Sequence, residues 1–239
     1  MAEIRCSGTW GSSLTTGEFA AIRSVGFEPV GQVFGAAVYA AGAASGSCCA
    51  AAGGSFGPLV EAMYQARHTA IDRMTTECAR LGGHGVVGVR LSRGSFPLGG
   101  LEFTAIGTAV RAPGVADGRR QPFTSDLSGQ DFARLIMTGW VPVGLALGIS
   151  IGSRHDARRR LESEVERLGA EGVVIAAMRL RVSQRACPVT VGRRDHIAEA
   201  TLLGTAIASF AAAGPPHAGP ALAVMPLGPQ RRQPATGRI

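Results

Sequence analysis

The sequence predicts an α+β protein made of two tandem β-α-β-β units, each a small antiparallel sheet packed under one long helix. Three internal matches carry that prediction. LTTGEFAAIRSVGFEPVG from Leu14 returns as LSGQDFARLIMTGWVPVG from Leu127, without a gap, at an offset of 113. RHTAIDRMTTECARLGGHGVV from Arg67 returns as RHDARRRLESEVERLGAEGVV from Arg154 at an offset of 87. GTAV at Gly107–Val110 returns as GTAI at Gly204–Ile207. Matched blocks in the same order are the signature of a duplicated domain.

The elements of each copy follow in order. A short helix comes first, with Phe19, Ile22 and Val25 on one face, and Phe132, Leu135 and Ile136 in the second copy. Gly26 and Gly139 supply its stop, because glycine accepts the left-handed conformation found there. Pro29 and Pro142, lacking an N–H, suit the first residue of the strands VGQVFGAAVY and VGLALGISIG. The long helix is next, with Pro58 near its start in copy one and a Ser153/Asp156 capping pair in copy two. Its buried stripe reads Ala70, Met74, Cys78, Leu81 and then Ala157, Leu161, Val165, Leu168. LGGHG and LGAEG end these helices, VVGVRL and VVIAAMRL read as buried strands, and FTAIGTAV and TLLGTAIASF close each copy.

These blocks divide the chain into residues 1–112 (copy one), 113–122 (a Pro/Gly-rich linker), 123–211 (copy two) and 212–239, a Pro/Gly-rich tail expected to be disordered. The falling offset places about 26 extra residues in copy one, around an Ala/Gly/Ser-rich insertion at about 40–57. It places about ten more before the last strand of copy two, around CPVTVGRRDHIAE. Both are expected in surface loops, where added length costs little. A small sheet with one helix leaves its second face uncovered, so each unit needs a partner. The expectation is a homo-oligomer, or at least an intimate pseudo-dimer.

Composition narrows the function. All 24 basic residues are arginine and the net charge is +7, yet the arginines are scattered and aromatics are few. That argues against a nucleic-acid surface, which interleaves the two. Five cysteines with no CxxC frame point to a reducing compartment. MAEIRCSGTW has no apolar core of signal-peptide length, and no stretch is apolar enough for a membrane span. A cytoplasmic protein is expected.

With ARHTAIDRMTTECARLGGHGVVGVRL and GTAV, and SRHDARRRLESEVERLGAEGVVIAAMRL and GTAI, the chain resembles the YbjQ-like (UPF0145) family, which carries a heavy-metal-binding label. The resemblance covers most of both copies. It implies a dodecin-like β-α-β-β subunit that assembles into rings, and it leaves activity open. The tandem arrangement departs from that pattern and puts a plain ring of single units in question.

Candidate chemistry follows from the label and from the repeat. A soft transition-metal ion wants thiolate and imidazole, and about four converging ligands. Cys48 and Cys49 in the glycine-rich loop, with His68 and His155, are the metal candidates. The plain alternative for the cysteines is a pair of small residues in an alanine-like tract. Cys78 falls on a core position, and His84 on a helix-to-strand corner at the surface. Arg67–His68 and Arg154–His155 recur at the start of both long helices and could hold a small anion there. Their plain alternative is a packing signature. GISIG (Gly148–Gly152) and GGSFG (Gly53–Gly57) spell a hydrolase elbow without room for its sheet. GHGVVG (Gly83–Gly88) spells a dinucleotide fingerprint in the wrong helix–strand order. The two copies share no nucleophile–base or carboxylate pairing by sequence. The expected function is therefore a non-enzymatic, oligomer-forming binding protein for a metal ion or small anion. The rivals are an enzyme with inter-domain sites, and an arginine-rich scaffold or nucleic-acid adaptor.

Overall fold

A computed structural model describes residues 11–40, 57–96, 100–114, 121–152, 154–186, 194–210 and 225–226. The first half runs α1 (Thr16–Ser24), β1 (Glu28–Ala40), α2 (Gly57–Arg80), β2 (Gly85–Phe96) and β3 (Gly100–Arg111). The short β4 (Phe123–Thr124) leads into α3 (Gly129–Met137), β5 (Trp140–Ile151), α4 (Arg154–Arg167), β6 (Gly172–Ala186) and β7 (Arg194–Ser209), with β8 at Met225–Pro226. The two sheets have the same order, β1-β3-β2-β4 and β5-β7-β6-β8. The predicted α+β architecture of paired β-α-β-β units is thus the observed one.

Local chemistry explains the elements. Thr15 and Glu18 close a capping box on α1, and Ser128 caps α3 by accepting from the Asp131 N–H. Gly26 and Gly139 both sit at φ 83°, as the helix stops require. Pro29 and Pro142 are not first in their strands. Each stands at a register shift, before Gly31 and before Gly144, on an edge strand. A bulge on an edge asks for no ladder N–H there, so proline is tolerated.

The long helices press on their sheets in the same way in both halves. Ala70, Met74 and Cys78, and likewise Ala157, Leu161 and Val165, are fully buried. Leu81 and Leu168, the last members of each predicted stripe, are 40% and 36% exposed because the helices have ended before them. Gly35 and Gly148 allow the close approach. A Cβ on either would lie 2.0 Å from a helix carbonyl, that of Ala70 or Ala157. Gly148 of the hydrolase-like GISIG is therefore a packing glycine.

The halves differ where length was added. The extra residues of copy two do not form only a loop: β6 and β7 continue as a hairpin, pairing Gln184 with His196 and Ala186 with Arg194. Continuing the ladder satisfies backbone groups that a loop would leave to water. In the tail, Met225–Pro226 pair with Val173 and Gly172 at the edge of β6, the place β4 takes beside β2. Ser153 and most of the insertion at 40–57 lie outside the described residues.

Helix α2 joins the halves. One of its faces lies on β1 and β3, and the other meets β5, so that Val60, Met63, Tyr64 and Ile71 share one core with Leu145, Leu147 and Ile149. A second core places Ile22, Val87 and Val110 against Phe132, Leu135, Val174 and Ile207. Gly35→Ala or Gly148→Ala is expected to destabilise the fold by roughly 1–3 kcal/mol through overpacking, measured by chemical denaturation. Unchanged stability would show that helix and strand separate without cost.

Candidate functional site

Between the halves, α2 presents Tyr64, Arg67 and His68 to the second half, while Glu164 reaches out from α4. The Tyr64 hydroxyl donates to the Leu147 carbonyl at 3.0 Å and accepts from the Ile149 N–H at 2.8 Å, capping the free edge of β5. Glu164 accepts from the Leu147 N–H at 2.6 Å, and its other oxygen meets His68 Nε2 at 2.9 Å and Arg167 at 2.7 Å. The His68 ring stacks on Tyr64 with centroids 6.0 Å apart. Burial pushes the Tyr64 hydroxyl up to about 12, so it stays a neutral donor.

Arg67, only 8% exposed, spans the other side of the joint. Its guanidinium lies 4.8 Å above the Phe103 ring and 3.6 Å from Glu199 of β7. Arg93 donates to the second Glu199 oxygen at 2.6 Å. Burial, the largest influence, lowers the Arg67 pKa, while Glu199 opposes it. This corner opens into a cavity of about 470 Å³ between β2 and the face of the second sheet turned away from α4.

The sequence-predicted residues scatter across this arrangement. Arg67 and His68 both lie at the joint, but in the interior of α2 rather than at its start, which is at Gly57. A helix-start anion site therefore does not apply to them. His155 is exposed on the first turn of α4. Arg154 opens α4, and its side chain, like Cys48 and Cys49, lies outside the described residues. Cys78 is fully buried, donates to the Gly85 carbonyl, and is pushed up to about 12 by burial, which suits a core thiol. His84 is half-buried and its Nδ1 accepts from the Ala112 N–H.

The described residues do not fit a soft-metal centre. His68 and Glu164 could provide two ligands, but Glu164 is already committed to the Leu147 N–H and to Arg167. Among the described residues, no three His, Cys, Asp or Glu converge.

Sequence reading missed two carboxylates that recur in both halves: Glu77 with Glu164, and Glu102 with Glu199. The signal for Glu77 and Glu164 was their repetition within a matched block, and for Glu102 and Glu199 their shared place five residues before GTAV and GTAI. Glu77 accepts from the Phe34 N–H at 2.6 Å, as Glu164 does from the counterpart Leu147. Both clamp a helix to the outer edge of its sheet.

Tyr64→Phe would leave the Ile149 N–H without its acceptor and is expected to cost about 1–3 kcal/mol. Because the folded-state pKa of Tyr64 is raised, its contribution is complete below pH 10 and lost as pH rises through about 12. Thermal melts of the native chain should fall over that window and flatten in Tyr64→Phe; equal slopes would remove Tyr64 from the joint.

Comparisons place this geometry in a family. The YbjQ family, described as "Putative heavy-metal-binding", matches residues 15–113. The encapsulin nanocompartment protein Rv1762c of Mycobacterium tuberculosis is 35% identical over 198 residues, covering 68% of this chain and 75% of that protein. UPF0145 proteins of Thermosipho africanus and Halorubrum lacusprofundi are 43% and 45% identical over 60 residues, covering 25% of this chain and 56% and 58% of theirs. The chain spans little more than half of those shorter relatives. With that match over the first half, and a mycobacterial relative similar over two thirds of the chain, this protein belongs to the YbjQ-like family.

Proposed function

We propose that the chain is a cytoplasmic, non-enzymatic binding protein that associates head to tail with further copies of itself, through the kind of joint that unites its own halves. The observation carrying this reading is the unequal exposure of equivalent residues. Leu147 and Ile149 are fully buried beneath α2. Phe34, the counterpart of Leu147, is 50% exposed, and Val38 on the same face is 52% exposed. Exposed apolar groups gathered on one sheet face favour a protein partner.

The repeat suggests how a second copy would seat. A neighbour presenting α4 to that face would bring His155 toward Glu77, the counterparts of His68 and Glu164. It would also bring the Arg154 position toward Glu102, the counterpart of Glu199. Helix α4 lacks the ten residues that begin α2. Beside it Met178, Leu180 and Val182 of β6 stand 58%, 55% and 63% exposed. In this arrangement those side chains would lie against Phe34 and Val38, where the first turns of α2 lie against Leu147 and Ile149. No helix among the described residues is long and apolar enough to cross a membrane, so a protein surface is the cover this reading chooses.

Non-enzymatic binding is supported by the engagement of Glu77 and Glu164 in backbone clamps and by the high pKa of the buried Cys78 thiol. A second reading is favoured by the mycobacterial relative, whose name attaches it to an encapsulin nanocompartment. The same apolar faces would then seat on a protein shell or its contents, and the chain would sediment with encapsulin particles when the two are produced together.

Sedimentation of the purified chain at micromolar concentration is expected to show assemblies larger than one chain. Phe34→Asp with Val38→Asp should reduce them to single chains with an unchanged circular dichroism spectrum. The paired replacements Glu77→Cys and His155→Cys should form a disulfide between chains on oxidation. A native protein that sediments as a single chain would overturn association.

A further inference from the structure

The cavity between the halves has a chemical character that neither the family label nor the association accounts for. Its walls are Val89, Leu91, Leu147 and Leu203, apolar side chains from both halves. Five arginines line it, Arg67, Arg90, Arg93, Arg179 and Arg181, against two carboxylates, Asp126 and Glu199. Arg90, Arg179 and Arg181 are exposed at its rim, and Arg67 is buried within.

The buried groups are incompletely satisfied. Arg67 Nη1 has no hydrogen-bond partner, although Nη2 faces Glu199 and the plane covers Phe103. A buried guanidinium N–H left unpaired costs on the order of 1–3 kcal/mol, more because it is charged. Asp126 repeats the pattern from the opposite charge. Its Oδ1 accepts from the Thr205 hydroxyl at 2.5 Å, while Oδ2 is buried without a partner. Burial raises the Asp126 pKa above the ordinary carboxylate value, and the hydrogen bond from Thr205 opposes that shift. An unpaired guanidinium N–H with four further arginines around the same cavity asks for an oxygen-rich guest.

The charge is also specific to this site rather than inherited from the repeat. Only Arg67 has an arginine counterpart, Arg154. By their register on β3 and β7, Arg90 and Arg93 correspond to Ala177 and Leu180, and Arg179 and Arg181 to Ser92 and Gly94. Four of the five arginines therefore belong to positions that the duplication did not charge twice. They surround the inter-half cavity that Arg67 also lines.

We propose that this cavity binds a small organic anion, its phosphoryl or carboxylate head held by Arg67 and its apolar body resting on Leu91, Leu147 and Leu203. The rim arginines attract the anion and compensate its second charge, since guanidinium matches oxyanions in fork geometry. About 470 Å³ exceeds what inorganic phosphate needs and lies in the range of small-molecule pockets. A metal cation is disfavoured by the same five positive charges. The proposal rests on the binding-protein reading and not on association between chains.

Calorimetric titration of the full chain with three probes tests it: phenyl phosphate, benzoate and inorganic phosphate. One of the two aromatic anions should bind at least tenfold more tightly than inorganic phosphate, and which one does identifies the head group. Arg179→Gln with Arg181→Gln, at exposed positions, should weaken that probe by about tenfold. Arg67→Met should abolish its binding, and zinc should not compete. Binding that survives in Phe34→Asp/Val38→Asp would keep the site even if association failed. Absence of binding of every probe up to millimolar concentration would overturn the proposal. So would equal affinity in the native, Arg67→Met and Arg179→Gln/Arg181→Gln proteins.

Discussion

Helix α2 is covered by a sheet on both sides, and most of the molecule follows from that constraint. Its side toward β1 and β3 carries Ala70, Met74 and Cys78, small enough for Gly35 to touch the helix backbone. Its side toward β5 carries Val60, Met63 and Tyr64, large enough to bridge to a second sheet. A helix wet on one face could keep polar residues there. On α2 the exposed stripe keeps Glu61, Gln65, Asp72 and Arg73, while the polar groups turned toward the second half meet partners, as Tyr64 does with the β5 backbone and Arg67 with Glu199. Joining the halves thus makes one continuous core from two units too small to stand well alone.

The elements were legible because duplication made each assignment twice. Matched glycines at 26 and 139 stop a helix, and matched stripes from Ala70 and Ala157 bury one face. What was illegible is relational. Nothing in the one-dimensional pattern says that Tyr64 reaches the edge of β5, because Tyr64 lies before the matched block and has no helical counterpart. Arg67 and His68 looked like a helix start because the repeat begins there, yet α2 begins ten residues earlier. Glu164 and Glu199 recur visibly, but each makes its contacts across distances in sequence that periodicity cannot encode.

The two halves are similar without being interchangeable. Helix α4 has exposed ion pairs such as Arg158–Glu162 and Arg159–Asp156, where α2 turns apolar groups toward β5. Surface pairs of that kind contribute little to stability. Divergence after duplication has assigned α2 to the internal joint, while α4 keeps these exposed ion pairs.

The matching positions of β4 and β8 lead somewhere else. Each sheet has its last place filled by a strand of only two residues, one supplied by the connection between the halves and the other by the C-terminal region. A strand so brief shields a fraction of the backbone beside it, and the long run of β6 beyond Val173 continues past β8. Unpaired strand edges are templates on which other chains polymerise. Losing β8 would thus uncover Gly172 and Val173 as well and widen that template by two residues, without altering a single residue of the core.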